Sequence, residues 1–512
     1  MELIKKNIHL DRIKCRASSQ ITLEDDRNVP DQKPDMERIL FKRGRVEIDE
    51  WKTSEDHVTV KGRLQFSILY MTEDGYVSRM DGEIPFDEQI YMEGIGNGDT
   101  VEIQTELEDL KIEMINSRKL SLHALLSLSL CAPELYEEEL ATELYHEGAV
   151  ETKKSLLSLT EVAIVKKDIV RLKQEMEMPQ SYPNIFEILW EDAEPAGITF
   201  EAMDGEIRMQ GELRVFLLYE GEGDEKNLHC FEKVIPFQEM LECQGCREGM
   251  IPEISCQVSH NEIEVRADFD GEDRVACLEL AFDLDMKLYE QEQIETLTDV
   301  YGIENDVQVI RGQGSFNREL IRAFGKTKLA EQVKLPAGEE GIVEICHADG
   351  TVRVEETQYT ENAAIIVGTL FLTVLYQGGE ERLFSFSIEL PFSYELEAAN
   401  VTQACCHRLT AALEQLVVTR LAADELDVKA VLSFALTAIC SSQEEVIKEV
   451  TASEGDAADR KAMPGIVVHI ARANEELWGL GKKYYVPLQR LRELNHLSSD
   501  TLKEGEKILI VR

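Results

Sequence analysis

A proline, a glycine 32 residues after it and a tyrosine eight residues beyond the glycine occur three times in this chain: Pro30, Gly62, Tyr70; Pro179, Gly211, Tyr219; Pro336, Gly368, Tyr376. Other landmarks keep the same register. Leucine stands seven residues before each proline (Leu23, Leu172, Leu329) and isoleucine nine residues after it (Ile39, Ile188, Ile345). A Pro-Phe pair follows each tyrosine: Pro85-Phe86, Pro236-Phe237, Pro391-Phe392. The glycines are 149 and 157 residues apart, a spacing the size of a whole domain and too long for a solenoid unit. We therefore expect three tandem domains, 1–150, 151–305 and 306–450.

Each repeat reads as β-sheet. Val58, Val60, Leu64, Phe66, Ile68 and Tyr70 alternate with Thr59, Lys61, Arg63, Gln65 and Ser67, which is the period-two pattern of a strand with one buried face. The central glycine interrupts the apolar face and implies a bulge or the close approach of another backbone. The Pro-Phe pair lies past a turn rich in Gly, Asp and Glu, so it belongs to a hairpin. A closing strand follows at Leu120–Leu130, Val275–Leu284 and Leu426–Leu436. The fold class is mainly β, with sandwich-like domains. In the third copy Ile365, Val367 and Phe371 replace polar residues of the first. A strand apolar on both faces must be covered on both, which makes these three a candidate interface.

The last fifty residues differ in character. A small, acidic stretch, Thr451 to Pro464, has the composition of a flexible linker. Residues 465–512 then hold eight basic and six acidic side chains, +2 against −47 for the rest of a chain whose net charge is −45. Val467, Val468 and Ile470 suggest a strand. Glu475 to Tyr484 suggests a helix with acids in its first turn and Lys482 and Lys483 in its last. Pro487 fits the first position of a second helix, striped by Leu488, Leu491 and Leu494. Lys507 to Val511 closes a β-α-α-β unit.

Composition excludes several functions. With 54 basic and 99 acidic residues the chain repels nucleic acid. No segment approaches the ~20 apolar residues of a membrane span, and the N-terminus lacks the apolar run of a secretory signal. Eleven irregularly spaced cysteines suit reduced thiols in a cytosol. Cys243, Cys246, Cys256 and His260 have zinc-like spacing, but the other two copies lack them and they mix loop with strand. We expect ordinary thiols there, and neither metal nor cofactor. No P-loop, dinucleotide turn, nucleophile elbow or His-Glu-x-x-His is present, so no enzyme is expected.

The tandem copies, with their Pro-to-Gly spacing, Gly-x7-Tyr strand and Pro-Phe hairpin, resemble the SPOCS domain of spore-coat assembly proteins. Leu477-Trp478, Tyr484, Val486, Leu491, Leu494-Asn495, Gly505 and Ile508-Leu509-Ile510 make residues 465–512 similar to a LysM domain. Together they resemble spore-coat morphogenetic proteins of the SipL type. The resemblance implies a non-enzymatic scaffold in the mother-cell cytosol, at the forespore surface. Its LysM domain would bind the ATPase that polymerises as the coat's basement layer, with other coat proteins as further partners. LysM domains commonly hold N-acetylglucosamine chains between the loop before the first helix and the loop after the second. The first loop usually reads Gly-Asp-Ser/Thr-Leu; here it is Asn474-Glu475-Glu476-Leu477, a departure that favours protein recognition. Weak binding of peptidoglycan in a cell-wall protein is the alternative. The partner-binding residues implied are Asn474, Glu475, Glu476, Trp478, Lys483, Tyr485 and Asn495. Trp478 carries most weight, because neighbours on a helix diverge by about 100° and Leu477 and Trp478 cannot both enter one small core.

Overall fold

The structure, a computed structural model, describes residues 1–146, 148–223, 227–336, 338–379, 382–402, 405–453 and 463–512. Six antiparallel strands build each repeat, and each repeat folds as two facing three-stranded sheets. In the first, β1 (Glu2–Asn28), β6 (Lys119–Tyr145) and β5 (Glu102–Asn116) form one sheet in the order β1-β6-β5. The other is β2 (Met36–Ser54), β3 (His57–Thr72) and β4 (Val77–Tyr91), in the order β2-β3-β4. The second repeat uses β7 (Val150–Glu177), β8 (Ile185–Met203), β9 (Glu206–Gly221), β10 (Leu228–Glu242), β11 (Ile251–Ala267) and β12 (Asp273–Gly302) in the same way. The third uses β13 (Asp306–Lys334), β14 (Glu344–Tyr359), β15 (Ala363–Gln377), β16 (Leu383–Glu397), β17 (Cys406–Ala422) and β18 (Glu425–Ser453). Each pair of sheets encloses its own apolar core.

The repeated landmarks meet in space. Each isoleucine pairs across the strands with its tyrosine: Ile39 with Tyr70, Ile188 with Tyr219, Ile345 with Tyr376. The tyrosines are fully buried, and each hydroxyl donates to a backbone carbonyl 36 residues earlier: Pro34 at 3.1 Å, Pro183 at 3.3 Å and Glu340 at 3.1 Å. Each proline accepts at its carbonyl the closing bond of a tight turn, from the N–H of Lys33, Tyr182 or Glu339. Each central glycine lies opposite the phenylalanine of its Pro-Phe pair. A methyl at Gly62 would sit 2.4 Å from the Glu47 carbonyl oxygen and 2.7 Å from the Phe86 ring, so the close backbone approach is real. The partner strand bulges there, between Ile48 and Glu50 and again between Val354 and Glu356 in the third copy. The Pro-Phe strands are outer strands, where a residue without an N–H is tolerated.

The three modules close into a ring. An arginine of each reaches a carbonyl at the bulge in the fifth strand of the next: Arg45 to Val258, Arg214 to Leu413, and Arg353 to Glu108 at 2.6 Å. At the centre, Leu69, Leu218 and Leu375, one from each module at equivalent positions, join Phe41 and Trp190 in a shared apolar cluster. Two charged sets lie nearby, each drawn from three equivalent positions. Arg43 contacts Asp192 at 2.7 Å and Asp349 at 3.9 Å; Arg408 contacts Glu102 at 3.0 Å and Glu253 at 3.7 Å. Each set holds one arginine and two carboxylates.

Beyond the sandwiches the first and last strands of each module continue as a two-stranded ribbon. Such a ribbon is marginal alone, and the three pack together through Ile8, Leu10, Leu140, Leu157, Leu159, Ile294, Phe316 and Val446. The expected linker begins later than its composition suggested: Thr451–Ser453 still pair in β18, and residues 454–462 lie outside the described residues. The cysteines are not all thiols, since Cys405 and Cys440 form a disulfide within the third module. Among the described residues no helix is long and apolar enough to cross a membrane.

Candidate partner-binding site

Residues 466–511 form a two-stranded sheet, β19 (Ile466–Ile470) with β20 (Lys507–Val511), covered by α1 (Leu477–Tyr484) and α2 (Leu488–Asn495). Leu477, Leu480, Val486, Leu491, Leu502, Ile508 and Ile510 fill the core. Both helices start later than the sequence suggested. Glu475 and Glu476 precede α1, whose first turn has no acid, and Pro487 is the cap before α2 rather than its first residue. For α1 the reason is local. The Glu475 carboxylate accepts the Arg472 N–H at 2.8 Å and meets His469 at 3.0 Å, which holds the loop extended and the carboxyl below its usual pKa. Leu494 does not join the apolar stripe; it is more than a third exposed.

The two loops expected to flank a sugar are sewn together. The Leu477 N–H donates to Asp500 and the Leu502 N–H to Glu475, both through backbone carbonyls. Asn495 also turns inward: its amide donates to the Leu491 and Leu509 carbonyls and accepts the Leu509 N–H at 2.6 Å. That tie pins α2 to β20 and occupies the side chain.

Trp478 is outside this small core and yet only 9% exposed. It packs on the tip of the ribbon formed by β7 and β12. Its ring meets Tyr301 edge-on at 4.9 Å and its Nε1 donates to Asp299 at 2.8 Å. Lys482 reaches both Asp299 oxygens at 2.6 and 2.7 Å. The Tyr301 hydroxyl donates to the Val486 carbonyl at 2.8 Å, and Lys153 pairs with Glu476. Burial pushes the Asp299 carboxyl up, but the Lys482 and Trp478 bonds outweigh it and the net shift is downward. Asn474 (in the left-handed backbone region), Lys483 and Tyr485 stay at or near the surface. Asp299 and Tyr301 stand at the positions of Glu143 and Tyr145 in the first module, so the repeat pattern does not single out the copy that receives the LysM domain.

The third-module candidates separate. Ile365 and Val367 are half-buried on β15. Phe371 lies under the Arg353 guanidinium at 4.2 Å and lines a cavity of about 1610 Å³ to which all three modules contribute, so it faces the inside of the ring. The zinc-like cysteines do not gather with His260. Among the described residues, the group of three or more His, Cys, Asp and Glu side chains whose ligand atoms all lie within 4.8 Å of one another is Asp192, Glu194 and Asp349. Arg43 already occupies that set.

The SipL SPOCS-domain model matches residues 35–115, 184–266 and 341–420, and the LysM model matches residues 469–511. The chain belongs to the SipL-type SPOCS–LysM proteins. It is a sporulation protein, associated with the coat, that carries a LysM module. No curated protein and no solved structure matches it. Each SPOCS match spans β2 to β5 or their equivalents; the long first and last strands that make the ribbons and receive the LysM domain lie outside it. Both families are binding or scaffold domains.

Proposed function

We propose that this SPOCS–LysM protein is a non-enzymatic scaffold of coat assembly, whose LysM domain captures the ATPase of the coat's basement layer and brings it to the forespore surface in the mother-cell cytosol. The observation that carries the reading is the pairing of a three-module SPOCS ring with a LysM domain whose loop groups are already bonded to each other. The Leu477 and Leu502 N–H groups are spent on the opposite loop. That leaves protein recognition as the better use of the domain.

Trp478 remains the expected anchor, since truncating a large aromatic at an interface often costs ~2 kcal/mol or more. Capture through Trp478 competes with its seat on Asp299 and Tyr301, while Asn474, Lys483 and Tyr485 are reachable with the domain seated. The test is pull-down of the polymerised coat ATPase with the full chain, beside pelleting with purified peptidoglycan. Capture of the ATPase that Trp478→Ala abolishes supports the reading. Pelleting with peptidoglycan and no capture of the ATPase would replace it with the cell-wall alternative.

A further inference from the structure

The ring has three seams, and each brings the outer strand of one module, carrying the Pro-Phe pair, against the second strand of the next. They are built from different chemistry at corresponding places. At the first seam Arg79 of β4 reaches Glu191 of β8 at 3.6 Å and lies over the Trp190 ring. At the third, Arg38 of β2 donates to the Leu383 carbonyl at 2.6 Å and covers Phe384 of β16. At the second seam the position equivalent to Arg79 is Cys230 of β10, and facing it in β14 is Cys346.

Two contacts fix that apposition. His347 meets the Glu232 carboxylate at 2.9 Å and stacks on Phe216 at 3.8 Å, which clamps β14 of the third module onto the second. Cys346 precedes His347 at a bulge in β14, and Cys230 stands two residues before Glu232, on the same face of β10. Both cysteines pack against the apolar cluster shared by the three modules, both are half-buried, and each thiol perturbs the titration of the other. We propose that Cys230 and Cys346 are an oxidisable pair that forms a disulfide and locks the second SPOCS module to the third.

The neighbouring Cys230 side chain holds the Cys346 thiol below its usual pKa despite burial, which favours its thiolate as the attacking group. With a peroxide as oxidant, the Cys346 sulfur attacks one oxygen; an S–O bond forms, the O–O bond breaks, and hydroxide leaves and is protonated to water. The Cys230 sulfur then attacks the sulfenic sulfur. The S–S bond forms, the S–O bond breaks, and the departing hydroxide takes the Cys230 proton as a second water. Two thiols are oxidised and one peroxide is reduced. The crosslink ties residues 116 positions apart (346 − 230) in the sequence, where a crosslink strongly restricts the unfolded chain.

The experiment treats the full reduced chain with hydrogen peroxide, alkylates the remaining thiols and maps tryptic peptides without reduction. The expected result is a peptide 227–233 joined to a peptide 335–353, two hydrogens lighter than their sum, within a single chain. The link forms ahead of any other between the remaining thiols and raises the urea midpoint of unfolding. Cys230→Ser and Cys346→Ser each abolish both effects, and Cys131→Ser leaves them intact. Full alkylation of both thiols after peroxide, or their crosslinking to other cysteines or between chains, would overturn the proposal.

Discussion

The three central glycines occupy one structural position but differ in how much room they have, and this predicts unequal costs for the same substitution. A methyl at Gly62 meets the Glu47 carbonyl oxygen at 2.4 Å, and one at Gly368 meets the Arg353 carbonyl oxygen at 2.1 Å. Both neighbours are backbone held by strand pairing and cannot step aside. At Gly211 the nearest atoms, the Phe237 ring and the Ala196 carbonyl, lie at 3.0 and 3.1 Å, so a shift of a few tenths of an ångström suffices. None of the three has a left-handed backbone, so alanine carries no torsional penalty. Overpacking costs roughly 1–3 kcal/mol, and the rigid backbone clashes put Gly62→Ala and Gly368→Ala at about 3 kcal/mol. For Gly211→Ala the smaller clash is offset by the ~0.4–1 kcal/mol gained from a stiffer unfolded chain, leaving it near neutral. If the ring melts as one unit of about 450 residues, unfolding entropy near 60 °C is ~1 kcal/mol per degree, and 3 kcal/mol lowers Tm by about 3 °C. A module melting alone would shift by about 9 °C. Calorimetry of the three variants separates these cases. Equal Tm values for Gly62→Ala and Gly211→Ala would refute the reasoning, because the argument rests on the difference in clearance.

Other outcomes follow from the same structure. Arg43→Ala leaves Asp192 buried without its cation and should cost about 3 kcal/mol, measurable by urea denaturation; adding Asp192→Asn should recover much of it. Tyr219→Phe removes the bond to the Pro183 carbonyl and should cost about 1 kcal/mol in the same assay. Asp299→Asn should loosen the LysM domain from the ribbon, read as faster amide exchange in residues 477–488 with β19 and β20 unchanged. The seat is also pH-dependent. The folded Asp299 pKa is depressed, so its contribution is full above the unfolded value of ~3.9 and is lost as pH falls through the folded value. Amide exchange should therefore show undocking below about pH 4 in the parent chain and little pH response in Asp299→Asn.

The local architecture was legible in the residues themselves. The Pro, Gly, Tyr and Pro-Phe register marked three copies of one module because each landmark answers a short-range demand. The tyrosine reaches a carbonyl 36 residues back, the glycine admits a bulged strand, and the phenylalanine covers that glycine. Alternation showed the strands for the same reason, since it reports which face is buried. The helix start at Leu477 was missed by two residues, because the bonds Glu475 makes to Arg472 and His469 override helix propensity, and the start at Leu488 by one, because Pro487 is extended and caps the helix.

How the modules meet was decided by tertiary structure alone. Arg45, Arg214 and Arg353 perform one task, closing each module onto the next, from positions that are not equivalent in the repeat. Arg43, Asp192 and Asp349 are equivalent but differ in charge, so a search for repeated residues passes over them. The seat of the LysM domain on Asp299 and Tyr301 joins residues 179 and 185 apart in the chain, and the like residues Glu143 and Tyr145 of the first module make no such seat among the described residues. Periodicity records what a side chain does relative to its own strand or helix. Contacts between folded units depend on where whole modules come to rest, and a single sequence carries that only through complementary surfaces that exist once the modules have folded.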